Sequence, residues 1–553
     1  YFLNYIYSYA PFMNKLSILS LLYILYSCSN SAEVLILEEN STPPISSPFP
    51  QLDLIATNDW WNREGNQIID VKVRRSDVIA FGIYTVSVNT LKLTAQFFPL
   101  YPSETRKVRL EVLSKGKWKE IQNKKINDIG WSATFEIKNW IDSINTPYRI
   151  CHGDSAFFQG LIRKNPTAKN EILVAALSCN SNTDRGNRAN YVRNINHQNP
   201  DLIFFAGDQS YDHTEHTAAW LKFGMQFREI FRNRPCITIP DDHDIGQGNL
   251  WGESGRKAKN NSGIDAGYFH PAEYIKMVER CQTAHLPAPY DSTHIKQDIS
   301  VYYTNFILGE IDFAILEDRK FKSCPKGNIP QSGPRPDHIT NEKYDPKSID
   351  LKGLKLLGDR QLLFLNEWAR ERENNKMKVV LSQTGFCGGA HLHGNKKNRL
   401  IADMDSNGWP QTGRNQALKA IKKANAIHIA GDQHIATVVQ HGLNEFEEGP
   451  WAFVVPSIVN NYYSRWWWPK NELPGENPLD VLPWTGRYKD GFSNKITMHA
   501  YANPNSASNG AGYGLIRLNK ALNKVTFECW PRHVDVSDST QKQFKGWPIT
   551  ISL

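Results

Sequence analysis

The chain reads as an α/β protein built in two parts: a small N-terminal β-sandwich, then a larger α/β sandwich of two central sheets flanked by helices. Between about 53 and 165, short alternating apolar and polar runs follow one another with turn residues between them, and no helical period is sustained. From Glu171 onward, β-branched runs alternate with helix-period segments, the pattern of an α/β core. A third observation concerns how those runs end. Four of them, at 172–180, 202–213, 236–244 and 426–434, close on clusters of Cys, Asp, Tyr and His. Strand ends on one sheet edge bring such residues to one place.

Bulk properties agree with this reading. The 553 residues are enough for two or three domains. With 40% hydrophobic and 22% charged residues, the chain is globular rather than disordered. A net charge of +8 is mild at this length, and no Lys/Arg-rich stripe with interleaved aromatics occurs. No nucleic-acid partner is therefore expected, except as a substrate.

Taken in order, residues 1–27 read as a signal peptide, with the residues before Met13 an over-extended translation start. Asn14 and Lys15 give a short charged start, and the apolar run 16–26 is too short to cross a membrane. It leads into Leu25-Tyr26-Ser27-Cys28, which looks like a bacterial lipoprotein signal with Cys28 as the lipidated residue. An ordinary cleaved signal and an N-terminal anchor are the alternatives. On the lipoprotein reading the protein is exported to the periplasm or outer-membrane surface and held there by lipid. Residues 28–52, polar and rich in proline, form a tether.

Residues 53–168 make the N-terminal sandwich, with strands expected at 77–86, 91–98, 107–113, 117–122, 132–140 and 146–153. Residues 169–553 make the main domain, with helices expected at 217–233, 271–282, 359–375 and 413–424. In the first of these, Trp220, Phe223, Phe227, Ile230 and Phe231 recur at helical spacing and give one apolar face. After about 450 strands return, at 451–459, 495–504, 513–519, 524–531 and 548–553, and complete a sheet of that domain. Besides Cys28, seven cysteines remain and none forms a CxxC pair. Export would permit disulfides, but their pairing cannot be read from the sequence.

A carboxylate buried at a strand end is costly unless it is paired or bound to a metal. Singly, each residue has a plainer reading: Asp208 as a helix cap, Cys179 as a small buried residue, Tyr211 as packing, His243 as a paired surface residue. Repetition across four strand ends favours a metal site.

The order of the endings carries a resemblance. Gly207-Asp208, then Asp242-His243-Asp244, then Gly431-Asp432-Gln433-His434 follow the motif order of the metallophosphoesterases, with Ser178-Cys179-Asn180 where that superfamily has DxH. Three departures, Cys179 for Asp, Tyr211 three residues after Asp208, and GDxH for GHxH, resemble the PhoD-like alkaline phosphatases. Leu316-Glu317-Asp318-Arg319 and the loop Asp405-Ser406-Asn407-Gly408-Trp409-Pro410 with Arg414 are similar to further segments of that family. The likeness covers roughly 53–553, including the sandwich.

The resemblance implies metal-dependent hydrolysis of phosphate monoesters or diesters by a metal-activated hydroxide. Two metals clamp the phosphoryl oxygens and generate the nucleophile from water. Cys179, Asp208, Tyr211, Asp242, Asp432 and His434 would be ligands, with Asp208 bridging. Thiolate and phenolate would favour Fe(III), and the oxygen donors Ca(II) or another divalent ion. His243, and His434 if it is not purely a ligand, would donate a proton or stabilise charge. Arg319 would fork two phosphate oxygens, and Asn249, in the polar loop 249–256, would be a ligand or substrate contact. The substrate would be a phosphorylated small molecule or polymer.

A reading of another class is a surface lipoprotein that binds a glycan or nutrient, with a structural or inactive metal site. For that reading Trp466, Trp467 and Trp468, with Tyr462 and Tyr463, would be a stacking platform; their plainer role is packing.

Overall fold

The computed structural model describes residues 68–553, apart from 70, 72, 261–262, 372–376, 390–391, 394–398, 460–464, 468, 470–472 and 503–509. The signal segment, the tether and Cys28 lie outside the described residues.

Seven strands come first: β1 (Ile79–Ser87), β2 (Thr90–Phe97), β3 (Lys107–Ser114), β4 (Lys117–Lys125), β5 (Ser132–Lys138), β6 (Thr146–His152) and β7 (Ala156–Ile162). They pair antiparallel into a three-stranded sheet, β1-β2-β5, and a four-stranded sheet, β4-β3-β6-β7. Gly82 of β1 is where the two sheets close. A Cβ there would lie 2.8 Å from Ile150 Cδ1 of β6, so only glycine admits that side chain.

The main domain starts with three parallel strands, β8 (Glu171–Asn180), β9 (Leu202–Phe205) and β10 (Cys236–Thr238). It continues with β11 (Thr304–Leu308), β12 (Ile311–Ile315), β13 (Met377–Thr384), β14 (Ile427–Gly431), β15 (Thr437–His441) and β16 (Trp451–Val454). It ends with β17 (Ser457–Val459), β18 (Gly486–Lys489), β19 (Lys495–Tyr501), β20 (Gly512–Asn519), β21 (Lys524–Pro531) and β22 (Ile549–Ser552). One sheet has the order β10-β9-β8-β20-β21-β22, with β17 beside β8; the other has the order β11-β12-β13-β14-β16-β15-β19-β18. Strands β12, β13, β14 and β16 run parallel.

Side chains alternate faces along a strand, and this sorts the core into layers. Ile172, Val174 and Ala176 of β8 meet Phe313, Val379, Leu381 and Ile429 of the other sheet in one buried cluster. Leu173, Ala175 and Leu177 of the same strand face the helices instead. The helices of the domain are α1 (Ala189–Gln198), α2 (His216–Phe231), α3 (Asp242–Ile245), α4 (Ala272–Thr283), α5 (Gly358–Arg370) and α6 (Gln411–Lys423). The result is helix, sheet, sheet, helix, as the sequence predicted. Helix α2 also binds the sandwich to this domain. A Cβ at Gly224 would lie 1.9 Å from Phe81 Cε1 of β1, so the ring occupies that space.

The four expected helices appear with ends shifted by a few residues. Helix α1 was not anticipated, because Ala-Asn-Tyr-Val-Arg-Asn-Ile-Asn-His-Gln buries only Tyr191, Asn194 and Ile195. Strand β7 was also not anticipated. The seven described cysteines are all buried thiols without disulfides. Of the tryptophan run, Trp467 is 1% exposed and its Nε1 donates to Trp484 O at 2.9 Å, which is packing; Tyr462, Tyr463 and Trp468, and the side chain of Trp466, lie outside what is described.

Candidate metal centre

The carboxyl ends of β8, β9, β10, β12 and β14 converge on one edge. Four residues there take the left-handed backbone conformation that L-residues avoid: φ is 58° at Cys179 near the end of β8, 57° at Asp208 after β9, and 64° at Asp432 and 52° at His434 in the turn after β14. Each such residue costs about 1–3 kcal/mol and persists where its surroundings enforce it. Two glycines let the turns interlock. A Cβ at Gly207 would lie 2.5 Å from Asp241 Cβ, so the turns after β9 and β10 sit back to back. A Cβ at Gly431 would lie 2.1 Å from Ser178 Oγ, which joins the two sheets at the site. The glycine of each Gly-Asp pair is thus required by close approach, and the aspartate follows it into the cluster.

The residues singled out in the sequence meet there. Donor atoms of Cys179, Asp208 and His434 lie within 4.8 Å of one another, as do those of Asp208, Asp242 and His243, and those of Asp208, Asp241, Asp242 and Asp432. Asp208 belongs to all three groups. The Tyr211 hydroxyl donates to Asp208 Oδ2 at 2.7 Å and contacts His434 Nε2 at 2.9 Å. The His243 ring lies 4.1 Å from that of Tyr211, and its Nδ1 is 2.7 Å from His213 Nε2.

Charge and orphaned atoms test whether this set suits a cation. Asp208 Oδ1 and Asp242 Oδ1 are buried without a hydrogen-bond donor, which buried carboxylate oxygens rarely tolerate. Burial, then Asp242 and Asp241, pushes Asp208 well above the usual carboxylate range. Burial and the neighbouring carboxylates do the same to the Cys179 thiol and the Tyr211 phenol. Burial opposes ionisation of Asp242 too, but His243, Arg319 and the Asn249 N–H outweigh it and hold that carboxyl low. Soft sulfur, phenol, imidazole and oxygen donors crowded in this way fit metal ions, whose binding would displace the protons the cluster holds.

Arg319 is not presented as a free phosphate fork. It is 2% exposed, and its Nε donates to Asp241 Oδ1 at 2.7 Å. Its Nη1 is engaged by Asp405, and its Nη2 lies 3.1 Å from Asp432 Oδ1. Burial works against its charge, but Asp241, Asp405 and Asp432 hold that charge firmly in place. Asn249 also turns inward: its N–H donates to Asp242 Oδ2 and its Nδ2 to Asp337 Oδ2 at 2.7 Å.

Three residues of the quoted motifs contribute in ways the sequence reading did not assign. Asp244 accepts the N–H of Asp208 at 2.7 Å and of Asp241 at 3.0 Å, and closes a capping box on α3. The Asp241-x-x-Asp244 spacing is the signal that could have found it. His213 ends the 202–213 run and Asp405 opens the 405–410 loop, but nothing local marks their contacts with His243 and Arg319.

Residues 219–466 match the family model described as PhoD-like phosphatase. That match takes in Asp242, His243, Arg319, Asp432 and His434 and begins beyond Cys179, Asp208 and Tyr211. The fold is similar to a solved structure of PhoD, with TM-score 0.59 and 14% identity over 87% of this chain and 91% of that one. It is also similar to the purple acid phosphatase PPD1 from yellow lupin (Lupinus luteus) seeds, with TM-score 0.54 and 12% identity over 87% of this chain and 75% of that one. At these identities the likeness is one of fold. No curated protein matches the chain. The PhoD-like phosphatase match over residues 219–466, together with the metal-suited cluster at the strand ends, supports metal-dependent hydrolysis of phosphoric esters.

Proposed function

We propose that the strand-end cluster is a two-metal centre, with Cys179, Asp208, Tyr211 and His434 holding one cation and Asp208, Asp242 and Asp432 the other. The observation that carries this reading is Asp208, whose carboxylate belongs to every ligand group of the edge while its Oδ1 has no donor. Thiolate and phenolate suit iron(III); the oxygen donors suit calcium(II) or another hard divalent ion. When bound, the two cations supply Lewis acidity to the phosphoryl oxygens and to water.

The remaining work falls to this chain's own side chains. Burial and the adjacent His243 ring push His213 down to about 4, so it is neutral at physiological pH. With His243 doubly protonated, both its nitrogens are donors, and the neutral His213 takes the acceptor role opposite Nδ1 across their 2.7 Å contact. A second proton on His243 sits on Nε2 and is the one available to the ester's leaving oxygen. Arg319 acts as a positioning residue: it offsets the charge of Asp241, Asp405 and Asp432 and fixes their orientation. Asn249 does the same for Asp242 through its backbone N–H.

The substrates on this reading are extracytoplasmic phosphate mono- or diesters, and Cys28 carries the lipid that holds the protein at a membrane. Natively purified protein should contain iron and a second metal, and should release phosphate or alcohol from p-nitrophenyl phosphate or bis(p-nitrophenyl) phosphate. Stoichiometric metal with no turnover of any ester would sink the catalytic reading. Mass spectrometry of the mature N-terminus decides the anchor: an unmodified Cys28, or its absence from the exported protein in an unlipidated form, counts against it.

A further inference from the structure

The cleft that opens beside Tyr211 carries positive charge that the reading above leaves unused. Its walls include Arg185 and Arg188 from the segment after β8, Tyr211 and Asp212 after β9, and Lys222 from α2. Two carboxylates, Asp184 and Asp212, also face it, and both are taken. Arg185 grips Asp212 through both terminal nitrogens, at 2.8 and 2.7 Å. Asp184 pairs with Arg532 and lies 3.5 Å from Arg188 Nη1. The Arg188 guanidinium donates to Asn180 Oδ1 at 2.9 Å and to the carbonyls of Asp184 and Gly186 at 2.6 and 2.8 Å.

Lys222 differs from both arginines. Among the described residues its ammonium has no hydrogen-bond or ion-pair partner, although it lines the same cleft. Burial, then Arg188 and Arg185, push it below the ordinary lysine range, against the smaller opposing effect of Asp184. A cation whose like-charged neighbours outweigh its carboxylate neighbour, with its donors uncommitted, is favourable toward an anion. The cleft adjoins the metal centre through Tyr211, which lines it and whose hydroxyl donates to Asp208.

We infer that this cleft is a subsite for a second phosphate on the substrate, held by Lys222 while the ester beside Tyr211 is cleaved. The substrate class is a phosphoester that carries a further phosphate on the same molecule. This rests on the phosphoesterase reading. Arg185 and Arg188 shape the potential, but their forks are committed, so Lys222 makes the direct contact.

The test compares α,ω-alkanediol bisphosphates of graded chain length with the alkanol monophosphates of the same lengths. In the native protein at least one bisphosphate should have a KM about tenfold below that of its monophosphate, the usual size of one charge-assisted contact. In Lys222→Gln that ratio should collapse to about one, and in Lys222→Arg it should return. Equal KM values throughout the native series, or an advantage that survives Lys222→Gln, overturn the inference. Should no ester turn over, the phosphoesterase reading fails on its own. The subsite is then decided by calorimetric titration with the same bisphosphates, where binding that Lys222→Gln leaves unchanged overturns it.

Discussion

Asp244 accepts the backbone N–H of Asp208 across 2.7 Å, from 36 residues further along the chain. The same carboxylate takes the N–H of Asp241 at 3.0 Å and Gln282 Nε2 at 3.2 Å. One buried side chain therefore fixes the turn after β9 against the turn after β10. Asp244→Ala is expected to weaken metal binding about 10–100-fold, as loss of ligand-orienting partners does. Competition with a chelator measures this; native-like metal retention in the variant would remove Asp244 from the site's support.

Asp208→Ala should abolish ester hydrolysis and lower bound metal together, because both ligand groups lose the same carboxylate. Elemental analysis alongside a phosphate-release assay decides it. A variant with full activity would refute the central assignment.

Cys179→Ser should deplete one metal and bleach any thiolate-to-iron absorption band, leaving the second metal in place. Unchanged metal content and spectrum would return Cys179 to the role of a small buried residue.

The two histidines should separate by magnitude. His243→Ala is expected to lower kcat by about 10²–10⁴-fold, the usual worth of a proton donor. His213→Gln touches no reacting atom, so it should cost less and shift the alkaline limb of the kcat profile, where the proton donor His243 is lost, since it changes what His243 Nδ1 faces. Equal losses with no change in pH profile would argue against a positioning role.

Acid should unfold this protein through buried neutral histidines. His285 Nε2 meets Cys236 O at 2.9 Å, and His428 Nε2 meets Ser382 Oγ at 2.8 Å. Burial pushes each down to about 3. Between that value and the unfolded value near 6.5 the unfolded chain binds more protons, so stability is lost as pH falls through the window. By pH 5 each accounts for about 2 kcal/mol. Denaturant melts of His428→Gln at pH 7 and pH 5 should show that much less acid sensitivity than the native protein.

The site was legible where sequence and strand end coincide. Gly207-Asp208 and Gly431-Asp432 follow apolar runs directly, so their convergence could be read from pattern. The four-layer plan was legible for the same reason, since runs such as 172–180 are apolar on both faces. What could not be read depended on tertiary approach. Arg319 has the composition of a phosphate fork, yet its donors go to Asp241 and Asp405, which lie 78 and 86 residues away. His213 looks like one more histidine until α3 brings His243 against it. Helix α1 hides because its polar residues leave only a thin buried stripe.

The left-handed backbone at Cys179, Asp208, Asp432 and His434 narrows what each position can become for two unrelated reasons. A replacement must supply a donor atom, and it must also accept a backbone that branched side chains resist. Asparagine and aspartate meet both demands, while threonine in place of Cys179 keeps an oxygen donor and fails the second. A mutant library at these positions will therefore look more restricted than ligand chemistry alone would suggest. Its survivors would sort by tolerance of that backbone before they sort by affinity for a metal.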